Sequence, residues 1–225
     1  HYVEPKGFTP DLLASGLEAA QLYFQRAAHH SPPAPFQTVN WNYFPPAGGS
    51  IIHPHLQLQG GPFPTNRHRR LLEDSRAYRQ RHGANFWPDL IAAEKARGER
   101  YIGHRGPVCW LSPFVPRGRM WDVIGVVEGG SGLAEFSSQQ IEGLAEGISR
   151  VLTFIQDQGQ YSFNLSLLSA VEGEDSLWSV CHILPRTVTP PMGMSDCSYL
   201  DTLLDHPSTS LFPEDICRDL RQYFQ

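Results

Sequence analysis

The segment Gly48-Gly49-Ser50-Ile51-Ile52-His53-Pro54-His55-Leu56-Gln57 is the place in this chain where residue types and spacing call for a chemical explanation. On an extended strand alternate side chains share a face, so His53, His55 and Gln57 would point one way. Ile52, Pro54, Leu56 and Leu58 would then point toward a core. Pro54 has no N–H to give a ladder, so this strand is expected at a sheet edge or to be locally irregular. The Gly48-Gly49-Ser50 lead-in offers close backbone approach, N–H groups and a hydroxyl, all of use to a phosphate. Three chemistries fit. His55 could attack phosphorus while Gln57 and Ser50 hold phosphoryl oxygens; the two histidines could be metal ligands; or they could be polar residues on a solvated sheet face. Gln57 and Ser50 favour phosphate chemistry, because a metal site prefers a third His, Cys or carboxylate and none lies nearby in sequence.

The elements that must hold this segment are legible around it. Thr9 is a suitable N-cap and Pro10 fits the first turn of a helix expected over 10–28, with Leu13, Leu17, Ala20 and Phe24 as its apolar stripe. Strands are expected over 36–43 and 51–59, separated by a turn at Pro45-Pro46-Ala47-Gly48-Gly49. The charged middle predicts helices over 67–81 and 88–96. Further strands are expected over 108–111, 121–127, 161–169 and 176–185, and a short helix over 213–224. The strongest helix signal covers 136–156, opening on Ser137 with Gln140 at the capping-box position. The order helix, strand, loop, histidine-bearing strand occurs twice: 45 positions separate Pro10 from His55 and Ser137 from His182. This predicts an α+β fold of two related half-units, residues 1–100 and 101–225, each with an antiparallel sheet and a long helix. The first half is expected to lack an N-terminal part, because the chain opens at His1 without a methionine.

Composition removes several function classes. The 225 residues carry 40% hydrophobic and 18% charged residues, which excludes wholesale disorder. With 18 Lys+Arg against 23 Asp+Glu the net charge is −5, the wrong sign for a general nucleic-acid or membrane-surface binder. No apolar run approaches a membrane span, and no signal peptide is recognisable. Cys109, Cys181, Cys197 and Cys217 show no Cys-x-x-Cys spacing, so a soluble, cytoplasmic protein with free thiols is expected.

The pattern Gly-Gly-Ser-x-x-His-Pro-His-x-Gln resembles the active-site segment of the galactose-1-phosphate uridylyltransferase family, a branch of the histidine-triad superfamily. That family also carries an asparagine thirteen residues before its nucleophilic histidine, where Asn42 stands. The likeness continues through Pro88-Asp89-Leu90, Trp110-Leu111-Ser112-Pro113-Phe114, Trp121-Asp122-Val123 and His182-Ile183-Leu184-Pro185, although only the His-Pro-His-x-Gln segment is specific. The resemblance implies a histidine-triad-like fold and a nucleotidyltransferase that moves a UMP-like group from a nucleotide sugar to a sugar 1-phosphate. His55 would form a covalent nucleotidyl-histidine, its second ring nitrogen fixed by a backbone carbonyl, with Gln57, Ser50, Gly49 and Asn42 at the phosphates. His53 and His1 would be structural zinc ligands, completed by a Cys-x-x-Cys preceding this chain. A homodimer is implied as well.

The departures from the pattern are specific. Val180 replaces a histidine in the late strand, Leu168 falls where a further metal ligand is expected, and Arg67, Arg69 and Arg70 fall where a carboxylate is expected. No second metal is therefore expected. The hexose-binding segment is unrecognisable in Met192-Gly193-Met194-Ser195-Asp196. Two alternatives stay open: a nucleotide-sugar or dinucleoside-polyphosphate phosphorylase, and a nucleotide-binding module that has lost turnover. The remaining singled-out residues read plainly: the run Arg67 to Arg81 as a solvated helix face, His182 as a hydrogen-bonded half-buried residue, and Trp110, Trp121 and Trp178 as core anchors.

Overall fold

The computed structural model describes residues 2–30, 34–130, 132–189, 191 and 193–225. In chain order the elements are α1 (Pro10–His30), β1 (Phe36–Tyr43), β2 (Gln57–Gly61), α2 (Asn66–His82), α3 (Phe86–Arg97), β3 (Tyr101–Arg105), β4 (Val108–Leu111), β5 (Val123–Val127), α4 (Ser138–Asp157), β6 (Ser162–Leu168) and β7 (Val180–Arg186). A two-stranded ribbon, β8 (Val188–Thr189) with β9 (Met194–Ser195), follows, then α5 (Tyr199–Thr202) and α6 (Pro213–Arg221). Strands β1 to β7 form one antiparallel sheet in the order β2-β1-β6-β7-β5-β4-β3.

The α+β architecture expected from the sequence is present, and the helix–strand–strand order recurs as α1-β1-β2 and α4-β6-β7. The two units share a single sheet. β1 and β6 pair antiparallel at its centre, from Thr38 opposite Leu168 to Tyr43 opposite Phe163. Alternation sorts each strand: Val39, Trp41 and Tyr43 with Phe163, Leu165 and Leu167 face α1 and α4, whose stripes Leu13, Leu17, Ala20, Phe24 and Leu144, Ile148, Val151, Leu152 complete the main core. Both helices begin as expected. Thr9 accepts from the Leu12 N–H, and Ser137 and Gln140 form a reciprocal capping box.

On the other face, α2 and α3 cover β4, β5 and part of β7 through a second cluster containing Leu72, Trp87, Ile91, Cys109, Leu111, Ile124, Val126 and Val180. The remaining part of that face, on β1, β2, β6 and β7, carries Thr38, Asn40, Gln59, Ser166 and His182 around a cleft. Trp110 and Trp121 are buried in the main core, as expected, while Trp178 packs half-buried on the second cluster.

One expectation needs correction. A strand over 51–59 would have carried His53 and His55, but β2 begins only at Gln57, and residues 51–56 are an irregular lead-in. Pro54 supplies the reason: without an N–H, and with its ring restricting Pro54 and His53, the segment cannot pair as a ladder. β2 does occupy the sheet edge, as Pro54 suggested.

Helix α4 lies close to the sheet because two of its residues have no side chain. A Cβ on Gly147 would sit 2.0 Å from the Trp110 ring, and one on Gly143 would sit 2.2 Å from the Arg105 carbonyl oxygen. Gly147→Ala gains roughly 1 kcal/mol of helix propensity but forces overpacking that costs about 1–3 kcal/mol or more. Thermal denaturation is expected to show a net loss of stability, with about 2–4 °C in Tm for each kcal/mol in a chain of this size. Adding Trp110→Leu should recover part of it. A Gly147→Ala protein melting at or above the parent temperature would contradict this packing.

Candidate active site

The chain leaves β1 through a tight turn. Phe44 adopts φ 71° and ψ 165°, a region that a residue with a side chain rarely enters. Its carbonyl accepts from the N–H groups of Ala47 and Gly49 at 3.0 and 2.9 Å. A Cβ on Gly49 would lie 2.8 Å from the Asn42 carbonyl oxygen, so the glycine there allows the turn to fold back on β1. The backbone approach expected to serve a phosphate is made to the chain's own strand, and the Gly49 N–H is engaged within the turn. Ser50, next along, is exposed.

His55 is half-buried, with its Nδ1 2.8 Å from the His53 carbonyl oxygen. That contact makes Nδ1 the protonated donor and leaves the Nε2 lone pair available. The Gln57 amide nitrogen stands 3.5 Å from Nε2, at the reactive side of the ring. Gln57 pairs with Asn40 and is exposed, so it belongs to the open face of the sheet, and its contact brings the His55 imidazole to that side. Leu56 and Leu58 pack against the main core from the opposite side. The alternation expected of a regular strand is thus kept in effect although the ladder stops at Gln57.

Asn42 lies two residues beyond the last β1–β2 pair, and continuing that register would set it opposite His55. Its side-chain oxygen accepts from the Asn164 amide at 2.7 Å, and Arg186 in turn donates to the Asn164 oxygen at 2.9 Å. Arg186 is held by Asp196 at 2.6 and 2.8 Å. Asn164 and Arg186 were not singled out from sequence; their strand spacing looks like that of any half-buried polar residue. An apolar cavity of about 210 Å³, lined by Leu12, Leu13, Gly16, Pro54, His55 and Leu56 among others, opens beside the imidazole between α1 and the sheet.

His53 is exposed, and its carbonyl holds His55. His1, its expected partner on zinc, lies outside the described residues. Among the described residues no three His, Cys, Asp or Glu side chains come together as a metal site. Of the two expected zinc ligands, His53 alone falls among the described residues.

His182 sits on the same transverse row as Gln57. Gln57 pairs with Asn40, Asn40 with Ser166, and Ser166 with His182. Its environment is different. The ring is wedged between the Arg67 guanidinium, 3.3 Å from Nε2, and the fully buried Asp122, 3.7 Å from Nδ1. Burial pushes its pKa down, against the opposing pull of Asp122. His68 is also buried, 2.7 Å from the Ser169 carbonyl oxygen, and burial lowers its pKa too. Most of the arginine run is a solvated helix face, with Arg70 paired to Asp205 and Arg76 to Glu174, but Arg67 is half-buried in the cleft.

An antiparallel sheet flanked by two long helices on one face and carrying an open polar face at a His-x-Gln edge defines the histidine-triad-like class of folds. Comparison with solved structures agrees along the whole chain. A uridylyltransferase structure matches with a TM-score of 0.84 at 16% identity, covering 100% of this chain and 72% of that one. An ADP-glucose phosphorylase from Arabidopsis thaliana with bound ADP-glucose matches with a TM-score of 0.79 at 15% identity, covering 99% and 70%. At these identities the likeness shows a common fold. An uncharacterized protein of Archaeoglobus fulgidus is 27% identical over 222 residues, 99% of this chain; the chain spans 66% of that protein's length. No protein-family profile matches the chain. Among the described residues no helix is long and apolar enough to cross a membrane.

His68 and His182 make stability depend on pH in a definite sense. Their pKa values are lower folded than unfolded, so below the ordinary 6.5 the unfolded chain binds more protons than the native one. Stability is full above pH 6.5 and falls as pH drops from there toward the lowered native values. The Tm is expected to decline over that window, and His68→Gln and His182→Gln should each flatten the decline. A slope unchanged in both variants would place the titrating groups elsewhere.

Proposed function

We propose that the chain is a divergent member of the galactose-1-phosphate uridylyltransferase family and transfers a nucleoside monophosphate through His55. The observation that carries this is the state of the imidazole. Nδ1 is held by the His53 carbonyl, so Nε2 keeps its lone pair at the open face beside the Gln57 amide. Attack of Nε2 on the α-phosphorus of a nucleotide sugar forms a P–N bond and breaks the bond to the sugar-phosphate oxygen. The sugar phosphate leaves with the electron pair. An acceptor phosphate oxygen then attacks the same phosphorus and expels the imidazole. Gln57 and Asn42, with Ser50 at the rim, are the donors suited to the phosphoryl oxygens, and the apolar cavity beside His55 suits a nucleobase.

A sugar 1-phosphate as acceptor makes this a UDP-glucose–hexose-1-phosphate type of uridylyltransferase. Inorganic phosphate as acceptor makes it a nucleotide-sugar phosphorylase, the alternative reading. Zinc at His53 and His1 with two further ligands, a homodimer and a cytoplasmic location belong to the same proposal. A binding module without turnover is the competing class, and the test separates it.

Incubation with a nucleotide sugar and no acceptor is expected to leave a nucleoside monophosphate on His55, stable in alkali and lost in acid, detected by intact mass and peptide mapping. UDP-glucose and ADP-glucose should be tried in parallel. His55→Ala should abolish the adduct. Gln57→Ala should slow its formation by roughly 100- to 1,000-fold, the effect of losing one donor to developing charge, with little change in nucleotide affinity. Tight nucleotide binding with no label on the wild-type protein would assign the inactive module. A label that persists in His55→Ala would end the mechanism.

A further inference from the structure

On the open face a cleft of about 230 Å³ reaches from β1 and β2 across to His182 on β7, which lies three strands from Gln57, roughly 14 Å at about 4.8 Å per strand. Its floor is Thr38 and Asn40 of β1, Ser166 of β6 and His182 of β7, and its walls are Arg67 and Arg117. Neither the phosphate chemistry at His55 nor the packing of the core requires two arginines here.

The state of Arg67 is the informative feature. It is half-buried on the first turn of α2, yet among the described residues no carboxylate lies within ion-pair distance of it. Its side-chain contact is to the His182 ring nitrogen, a neutral acceptor. A guanidinium carries five N–H donors in a fixed fork, and taking it from water without an anion is costly. Asp122 does not line the cleft. One of its oxygens accepts from the Arg117 N–H, and it faces the far side of the imidazole. Asp205 is shared at the rim between Arg70 and Arg117. The groups that act electrostatically on Arg67 are thus Arg70 and Arg117 against Asp122 and Asp205, which leaves the Arg67 charge itself unbalanced. Burial and the neighbouring Arg117 both push the Arg67 pKa down, the behaviour of a cation short of a counter-ion. The positive end of α2, capped at Thr65, adds to the field at the cleft.

From this geometry we infer that the Arg67–Arg117–His182 cleft is a binding site for a tetrahedral oxyanion of the phosphate class. The guanidinium fork of Arg67 grips two oxygens. Arg117 adds a second positive charge to the lining. The second Asn40 amide N–H and the Thr38 hydroxyl, whose oxygen accepts from that amide, supply neutral donors from the sheet, while the Ser166 hydroxyl donates to the Asn40 oxygen and holds it in place. His182 is a positioning residue: with Nδ1–H directed to Asp122, its Nε2 holds the guanidinium in place. The Arg67–His182 end of the cleft lies three strands from Gln57, so an oxyanion held there does not depend on the transfer reaction proposed above. Free phosphate and the phosphate of a sugar ester share this chemistry.

Titration of the purified protein with inorganic phosphate, followed by calorimetry and by the Tm, tests the site. Saturable binding is expected, with a rise in Tm. Arg67→Gln and Arg117→Gln should each weaken it about tenfold or more, the loss of a charge-assisted contact. Arg67→Lys, which keeps the charge but not the fork, should fall between. Arg69→Gln, on the exposed face of the same helix, should bind as the parent does, and Arg67→Gln should cause the same fold loss in a His55→Ala background as in the parent, which keeps this result separate from the fate of the nucleophile. Glucose 1-phosphate in a second arm identifies the source: tighter binding than phosphate assigns an ester, equal binding the free ion, and either supports the site. Binding that is not saturable at tens of millimolar, or that survives in a folded Arg67→Gln protein, overturns it.

Discussion

The β1–β6 ladder is the constraint on which the rest depends. It joins the two helix–strand–strand units edge to edge, so that one sheet, rather than two, carries both the His55 edge and the interior His182 strand. Six consecutive pairs fix its register, and a slip of one residue would turn Val39, Trp41 and Tyr43 from the core to solvent. The aromatic cluster at this seam, with Trp41 and Tyr43 against Phe163 at ring-centroid distances of 5.0 and 5.1 Å, makes such a slip costly. Because the buried set is so firmly one-sided, Thr38, Asn40, Asn42, Asn164 and Ser166 are held on the other face. The polar surface of the site is a consequence of the packing beneath it.

Helices α1 and α4 pack side by side under that seam, and their placement decides how much of the sheet is left open. Gly143 and Gly147 bring α4 against β3 and β4, where Trp110 fills the space between them. On the far side α2 and α3 shield only the β4, β5 and β7 region, and the buried Glu94–Arg100 pair, 2.8 Å apart, ties the end of α3 to the chain entering β3. What remains uncovered runs from His55 and Gln57 to the arginine cleft.

Most of this framework was legible because it rests on local rules. Caps at Thr9 and Ser137, alternation in 161–169, and apolar spacing in the two long helices each point to one structure, and the elements follow within a few residues. The His-Pro-His-x-Gln segment was legible as chemistry for the same reason, since its spacing is regular. Its backbone was not. An alternating pattern reads as strand, but Pro54 removes the donor and the following ladder begins only at Gln57. Gly49 looked like a phosphate-binding glycine because sequence cannot say which backbone a glycine lets in; here it is the chain's own β1. Arg67 was hidden for another reason. It stands in a run of arginines that are otherwise solvated, and only the tertiary approach of α2 to β7, 115 residues on in sequence, separates it from them.

The two histidines on the shared sheet show how burial assigns chemistry to the same side chain. Both point to the open face, and both have one ring nitrogen directed at a fixed partner. At His55 the partner is a backbone carbonyl, a neutral acceptor that fixes the tautomer, and Nε2 meets a neutral amide at 3.5 Å. At His182 the partner is a buried carboxylate, and Nε2 is already occupied by a guanidinium. An imidazole whose lone pair is engaged by a cation is a poor nucleophile, whatever its position in the fold. The lead-in to the edge strand, kept out of the ladder by Pro54, can turn its imidazole nitrogen toward a ligand. The interior strand, paired on both sides, can only use its histidine to hold something else. That asymmetry follows from where each strand sits in the order β2-β1-β6-β7-β5-β4-β3.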